Sequence, residues 1–195
     1  MCKVVVATRN RGKVVEYGEL FAPYGLSVGS LLDHPELPDV EETGSTFADN
    51  ALLKASACFA AFGGLCVADD SGLEVVALGG APGVRSQRYS AEGTAAANNA
   101  KLLAALAGVA DRRARFVCTI AVIRPDGQSR LYVGALEGRI ATAPRGSGGF
   151  GYDPLFLVPE SGCTVAEMEP GVKNEISHRG RAFMAMMADR DWWTR

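Results

Sequence analysis

The segment Leu65–Gly72 constrains the fold more than any other part of the chain. Four apolar residues are followed there directly by Asp69 and Asp70, then by a serine and a glycine. A short apolar run with turn-forming residues behind it predicts a buried strand that delivers the two acids to a tight turn. Polar residues at the ends of such strands carry the chemistry of many α/β proteins.

The Asp-Asp-Ser-Gly sequence itself has two interpretations. Adjacent carboxylates at the mouth of a buried strand repel each other, and a divalent cation or several donors would offset that cost. All four residue types also favour ordinary surface turns. These residues alone therefore predict either a metal-assisted site or a surface turn.

Composition excludes several classes of protein. The chain has 195 residues, 48% hydrophobic and 22% charged, which is typical of one globular domain. Its formal net charge of −2 offers no broad basic field for a nucleic acid, so no nucleic-acid partner is expected. Its apolar runs are too short for a signal peptide or a membrane span. We expect a soluble cytoplasmic protein without a membrane partner.

The cysteines predict no covalent framework. Five of them, including Cys2, are widely spaced and form no Cys-x-x-Cys pair. This pattern argues against disulfides and against a structural zinc site, and predicts reduced, mostly buried thiols.

A basic loop follows the first predicted strand, Val4–Ala7. Apolar residues from Val14 to Tyr24 recur at helical spacing, so the loop Thr8–Lys13 leads into a helix. Free backbone N–H groups, the helix dipole and a lysine could bind phosphate there, although the sequence is not a P-loop. A solvated helix cap is the alternative.

A second helix is predicted to start at Thr46, where Asp49 completes an acidic capping box, and to end at Gly63-Gly64. Lys54 lies near its middle. Glu41 and Glu42 precede it, and either favour the helix N-terminus or join the two aspartates in supplying oxygen ligands for magnesium.

Downstream, the pattern predicts one more helix and then an antiparallel part of the sheet. The predicted ranges are Leu73–Leu78 (extended), Thr94–Leu106 (helix), Arg115–Arg124 (strand), Pro125–Gln128 (hairpin turn), Arg130–Ala135 and Leu136–Thr142 (strands).

Two later segments are candidates for ligand binding. Gly146–Gly151 matches Gly-x-Gly-x-x-Gly but does not lead into a helix, so a dinucleotide-binding fold is excluded. Phe150 and Tyr152 could stack on a flat base or pack in the core. Ser177 is a predicted N-cap for a terminal helix, and the basic residues around it suit either phosphate and base oxygens or a solvated turn.

Five separated motifs occur in the order found in the inosine triphosphate pyrophosphatase family. They are Thr8–Lys13, Glu41–Phe47 with Asn50, Ala51 and Lys54, Ala68–Leu73 with Gly79–Gly83, Gly149–Pro154, and Ser177–Gly180. The chain closely resembles the bacterial members, which hydrolyse noncanonical purine nucleoside triphosphates, over nearly its whole length.

The resemblance implies an elongated α/β fold, with residues 1–195 as one domain. A long central mixed β-sheet with flanking helices would form two lobes around a cleft, in a homodimer. ITP, dITP and XTP would be hydrolysed to the nucleoside monophosphate and pyrophosphate, with Mg²⁺ as cofactor.

The resemblance also assigns roles to residues. Asp70 would accept a proton and bind magnesium together with Glu41 or Glu42. The residues expected to bind the triphosphate are Thr8, Arg9, Asn10, Arg11, Gly12, Lys13 and Lys54. The residues expected to contact the rest of the substrate are Ser71, Phe150, Gly151, Tyr152, Asp153, Lys173, His178 and Arg179. Arg9 stands where relatives often have a small residue.

Hydrogen-bond polarity would select the base. A donor such as Arg179 or a backbone N–H can form a hydrogen bond to the 6-oxo oxygen of a purine. A 6-amino group is itself a donor, so it would face that group without forming a hydrogen bond. The rival functions are a pyrophosphatase for modified pyrimidine nucleotides, as in the related septum-inhibitor family, and a nucleotide-binding regulatory module. Base preference and metal-dependent turnover distinguish them.

Overall fold

The computed structural model describes residues 3–194; Met1, Cys2 and Arg195 lie outside the described residues. The strands are β1 Lys3–Val6, β2 Ser27–Ser30, β3 Cys66–Val75, β4 Arg113–Ile123, β5 Ser129–Ile140, β6 Phe156–Val158 and β7 Cys163–Thr164. The helices are α1 Arg11–Phe21, α2 Phe47–Phe62, α3 Ala95–Ala105, α4 Pro170–Ile176, α5 His178–Ala188 and α6 Arg190–Trp193. The strands form one sheet in the order β2-β1-β3-β4-β5-β6-β7.

The sheet is mixed, as predicted. β1 pairs in parallel with β2 and with β3, so Val6 lies opposite Ser30 on one side and Val67 on the other. Such parallel pairs need a crossover, and α1 supplies the one between β1 and β2. At the other edge β6 pairs antiparallel with β5 and with β7. The predicted turn is present, with the Gly127 N–H donating to the Arg124 carbonyl over 2.9 Å.

The predicted second helix is confirmed at both ends. The Thr46 hydroxyl accepts from the Asp49 N–H, and the Asp49 carboxylate accepts from the Thr46 N–H, each over 3.1 Å. Gly63 ends α2 with a φ of 66°, a left-handed conformation that favours glycine. The third predicted helix is also confirmed, with Thr94 as the N-cap of α3.

Two predictions about strands are wrong. β3 does not end in a turn at the aspartates but continues through Gly72 to Val75 as one strand. It can continue because each aspartate has its own cationic partner, as described below, so neither carboxylate has to reach solvent. Likewise, the two predicted strands after the hairpin form a single strand, β5, in which Ala135 and Leu136 are consecutive residues of the same ladder.

The chain folds into two compact units. Among the described residues, unit 1 comprises those up to residue 70, residues 118–134 and those from residue 179 onwards, and unit 2 comprises residues 71–117 and 135–178. Unit 1 has an apolar core on each face of its part of the sheet. Val67 packs in one core with α1 and α5 residues such as Tyr17 and Phe183, whereas Cys66 and Ala68 pack in the other against α2. Unit 2 has a core of its own, which includes Leu73, Phe116 and Phe156.

The thiol prediction is confirmed for the cysteines that the structure describes. Cys58, Cys66 and Cys118 are free and buried, and Cys163 is free and half-buried. In residues 3–194, every helix is too short or too polar to cross a membrane.

Candidate active site

Asp69 and Asp70 lie in the middle of β3, where side chains alternate between the two faces of the sheet. Asp69 shares its face with Val67, towards α1 and α5. Asp70 shares the opposite face with Ala68, towards α2. The alternation therefore separates the two carboxylates that the sequence placed side by side, and each belongs to its own cluster of charges.

Asp69 is the centre of a buried ion cluster. The Lys13 ammonium lies 2.9 Å from its Oδ2 atom, and Arg179 donates to the same oxygen from Nη2 over 3.2 Å and from Nε over 3.3 Å. The second terminal nitrogen of Arg179 pairs with Glu16. Burial alone would raise the pKa of Asp69, but Lys13 and Arg179 lower that pKa well below its usual range.

Asp70 lies in a second cluster, with residues of α2. The Lys54 ammonium is 2.8 Å from Asp70 Oδ1 and 2.9 Å from Glu42 Oε1. The Asn50 amide donates to Asp70 Oδ2 over 3.1 Å. Burial raises the pKa of the Asp70 carboxyl, because the loss of solvation outweighs the opposing effect of Lys54. Asp70 is thus a carboxylate with raised basicity, held at both oxygens.

The basic loop has the predicted relation to a helix N-terminus. Asn10 is the N-cap of α1 and accepts from the Lys13 N–H over 3.2 Å, and the Thr8 hydroxyl accepts from the Asn10 N–H over 3.1 Å. Arg11 and Gly12 form the first helical residues. The loop therefore leads into the positive end of α1, and Lys13 lies in the first turn of that helix.

The Arg9 side chain is bonded to the segment between β2 and α2. Its guanidinium donates to the carbonyls of Leu31 over 2.6 Å, His34 over 3.1 Å and Leu37 over 2.5 Å, and to the Asp39 carboxylate over 2.7 Å. These bonds hold the connection between β2 and α2. Arg9 was predicted to bind triphosphate, and a phosphate contact would require breaking them.

A third cluster lies within unit 2 around the glycine-rich loop. The Lys173 ammonium is 2.8 Å from Asp153 Oδ2 and 5.0 Å from the centre of the Phe150 ring. The same carboxylate oxygen accepts from the Phe150 N–H over 2.9 Å. Asp153 therefore fixes both the loop backbone and the lysine beside the ring.

The remaining predicted residues of unit 2 have separate surroundings. Tyr152 is buried in the core and donates through its hydroxyl to the Ser86 carbonyl over 2.8 Å, which agrees with the core-packing alternative for this ring. The Gly151 carbonyl accepts from Asn99 over 3.1 Å. The His178 ring stacks on Phe116 with centres 4.8 Å apart. Ser71 is half-buried in β3.

The structure places Arg179 in the Asp69 cluster, with its side chain only 2% exposed. Two carboxylates engage its guanidinium, so the predicted contact with the base would compete with two ion pairs. Sequence reasoning missed Glu16, and it named Asn50 only as part of a family motif, without a role in a cluster. Helical spacing contained the signal for both, because Glu16 follows Lys13 by three positions and Asn50 precedes Lys54 by four.

The acidic residues fit magnesium without forming a complete metal site. Among residues 3–194, no three His, Cys, Asp or Glu side chains form a group that could hold a metal ion. Magnesium in phosphate-binding sites typically takes one or two carboxylates and fills its shell with phosphates and water. Asp70 and Glu42, which share the Lys54 ammonium, match that donor set. Glu41 is exposed, so the geometry favours Glu42 of the two candidates.

The fold and these clusters define a mixed-sheet α/β protein with acids and ammonium groups paired on both faces of one central strand. The chain belongs to the Ham1 family, whose profile matches residues 4–189. This membership confirms the family resemblance inferred from the sequence motifs.

Similar proteins support the same assignment. The dITP/XTP pyrophosphatase of Geobacillus kaustophilus is 52% identical over 98% of this chain and 95% of its own length. The solved structure of a HAM1 protein from Coxiella burnetii has a TM-score of 0.87 and 40% identity, covering 98% of this chain and 99% of that one. The crystal structure of a nucleoside-triphosphatase and dITP/XTP pyrophosphatase from Mycobacterium abscessus has a TM-score of 0.76 and 44% identity, covering 95% and 98%.

Proposed function

We propose that this protein hydrolyses the noncanonical purine nucleoside triphosphates ITP, dITP and XTP to the nucleoside monophosphate and pyrophosphate, and so keeps these bases out of nucleic acids. Relatives that bear the name dITP/XTP pyrophosphatase match nearly the full chain. The observation that carries the proposal is the Asp70 cluster, in which a buried carboxylate of raised pKa is held by Lys54 and Asn50.

The triphosphate has binding groups in unit 1. The loop that contains Thr8 and Asn10 leads directly into the N-terminus of α1, and such helix ends bind phosphate oxygens. Lys13 and Lys54 add two full positive charges. Both ammonium groups are now paired with carboxylates, so phosphate oxygens would replace or extend existing charge-assisted bonds.

Asp70 is the base in this proposal. Its raised pKa makes it a better proton acceptor than an ordinary aspartate, and it takes the proton of the water that attacks the α-phosphorus, with pyrophosphate as the leaving group. Magnesium held by Asp70 and Glu42 would neutralise phosphate charge and increase the acidity of water. Lys54 keeps the two acids together and stabilises negative charge that develops on the phosphate.

The nucleoside would use the cluster in unit 2. Phe150 offers a ring for stacking, and Lys173, His178 and the backbone N–H groups of Gly149, Gly151 and Tyr152 offer donors to a 6-oxo group. Since Arg179 is engaged by Glu16 and Asp69, these donors are better placed for base selection in the described structure. The 6-amino group of an adenine base would place its own N–H donors against these protein donors, and no hydrogen bond would form.

We also propose that the protein is a cytoplasmic homodimer. Leu131 and Val133 lie on one face of β5 and are 40% and 60% exposed, an apolar surface that a second copy could cover. Sedimentation of the wild type and of Val133→Glu tests this, and a wild-type monomer at micromolar concentration would refute it.

A product assay tests the activity. The protein is incubated with dITP, XTP, dATP, dGTP and dTTP, with magnesium and with chelator, and monophosphate, diphosphate, pyrophosphate and phosphate are resolved. We expect monophosphate plus pyrophosphate from dITP and XTP, only with magnesium. Turnover of pyrimidine nucleotides alone would indicate the septum-inhibitor type of enzyme, and binding without turnover would indicate a nucleotide sensor.

A further inference from the structure

A buried asparagine links the base to the loop that carries the second acid. Asn50 lies in the first turns of α2 and is 0% exposed. Its Nδ2 atom donates to Asp70 Oδ2 over 3.1 Å, and its Oδ1 atom accepts from the Gly44 N–H over 2.8 Å. Gly44 belongs to the segment that follows Glu42.

The two bonds fix the orientation of the amide. An asparagine side chain could be rotated by half a turn, but the Gly44 N–H can only donate, so the amide oxygen must face it. The NH₂ group must then face Asp70. Asp70 receives one donor at each oxygen, from Asn50 and from Lys54, and its carboxylate is therefore held against rotation.

Gly44 is needed here for space and not for its backbone conformation, because its φ is not positive. A Cβ atom at this position would lie 2.5 Å from Asp49 Cβ and 2.6 Å from Asn50 Oδ1, closer than side chains approach one another. Asp49 is fixed by the capping box of α2, so the glycine allows the loop backbone to lie directly on Asn50.

We propose that Asn50 is a positioning residue for Asp70, and that its contact with Gly44 couples the orientation of this base to the loop that carries Glu42. The inference rests on the proposed function, because it assigns to Asp70 the role of proton acceptor. Asn50 itself is too deeply buried to contact substrate, so it acts on the rate of the chemical step. A reacting group misplaced by about 1 Å can cost on the order of 100-fold in rate.

Three variants test the contacts of Asn50 with Asp70 and with Gly44. Asn50→Ala removes both, Asn50→Asp keeps the acceptor for Gly44 but replaces the donor to Asp70, and Gly44→Ala displaces Asn50 by steric overlap. With dITP we expect all three to lower kcat at least 10-fold while KM changes less than about 3-fold. If Asn50 only holds the loop, Asn50→Asp will retain wild-type kcat, and the inference is then wrong.

Asn98 provides the matched control. It is a buried helical asparagine like Asn50, but within residues 3–194 its side chain bonds only to backbone atoms, those of Ser86, Gln87 and Ser90. Asn98→Ala should lower the melting temperature as Asn50→Ala does, while kcat stays within about 2-fold of wild type below the melting range. A kcat loss in Asn98→Ala equal to that in Asn50→Ala would show that burial, and not positioning, explains the effect.

A second measurement does not depend on activity. Melting temperatures of Asn50→Ala, Asp70→Ala and the double variant form a cycle. If Asn50 supports the Asp70 carboxylate, Asn50→Ala will lower the melting temperature less in the Asp70→Ala protein than in the wild type. Additive changes in melting temperature would overturn the inference even if the wild type hydrolyses dITP. Coupled changes in a protein that does not hydrolyse dITP would contradict the proposed function alone.

Discussion

The ammonium group of Lys13 lies 2.9 Å from the carboxylate of Asp69, whose side chain is entirely buried. This ion pair ties the first turn of α1 to the middle of β3 within unit 1. Asp69 thus differs from its neighbour Asp70 in purpose. Asp69 pairs with Lys13 and Arg179, whereas in the proposed function Asp70 would act as the base.

Asp69→Asn should be strongly destabilising. The substitution leaves Lys13 and Arg179 partly unpaired in a buried place, and breaking a buried ion pair by removing one partner costs about 3 kcal/mol or more. Urea unfolding at pH 7 measures the change. Asp111→Asn is the control, because Asp111 pairs with Arg113 on the surface and its loss should leave the urea midpoint unchanged. Equal midpoints for Asp69→Asn and wild type would show that the buried cluster contributes nothing to stability.

The same cluster predicts a dependence of stability on pH. Because Lys13 and Arg179 outweigh burial and depress the pKa of Asp69 in the folded protein, the carboxylate contributes stability above its unfolded pKa of about 3.9 and loses it as the pH falls further. In chelator-containing buffer, the difference in unfolding free energy between wild type and Asp69→Asn should be constant from about pH 7 to 5 and shrink below about pH 4. A difference that stays constant down to about pH 2.5 would contradict the assigned cause.

Local patterns made much of the fold predictable from the sequence. Thr46, Asp49 and Gly63 mark the ends of α2 through capping chemistry that acts within a few residues. The prediction of a turn at Asp69–Gly72 was wrong for a physical reason. Aspartate and glycine disfavour strands on their own, but the cations that stabilise Asp69 and Asp70 come from α1, α2 and α5, which no local pattern places beside β3.

The candidate site shows the same limit. Family motifs identified Lys13, Lys54 and Asp70, and the structure brings each into an ion pair in unit 1. The motifs could not show that Arg9 binds the segment between β2 and α2, or that Arg179 pairs with Glu16. The first contact joins residues 22 positions apart, and the second joins residues 163 positions apart. Pairings over such distances depend on the packing of whole elements.

Arg9→Ala should loosen the connection between β2 and α2. The variant loses donors to three carbonyls between Leu31 and Leu37, so chymotrypsin should cleave this exposed segment faster than in the wild type, while the KM for dITP changes little. Arg11→Ala, at an exposed position of α1, is the control and should be cleaved at the wild-type rate. Unchanged cleavage together with a KM raised at least 10-fold would mean that Arg9 binds phosphate after all.

The ion pair between Lys173 and Asp153 in unit 2 is 2.8 Å long, and both side chains are nearly buried. Lys173→Met leaves the Asp153 carboxylate buried without its ammonium, at a cost of about 3 kcal/mol. Adding Asp153→Asn should restore most of that loss, because the uncompensated charge disappears and an amide oxygen can still accept from the Phe150 N–H. Urea unfolding compares the two variants with the wild type. A double variant less stable than Lys173→Met would mean that the carboxylate has other partners strong enough to hold its charge without the lysine.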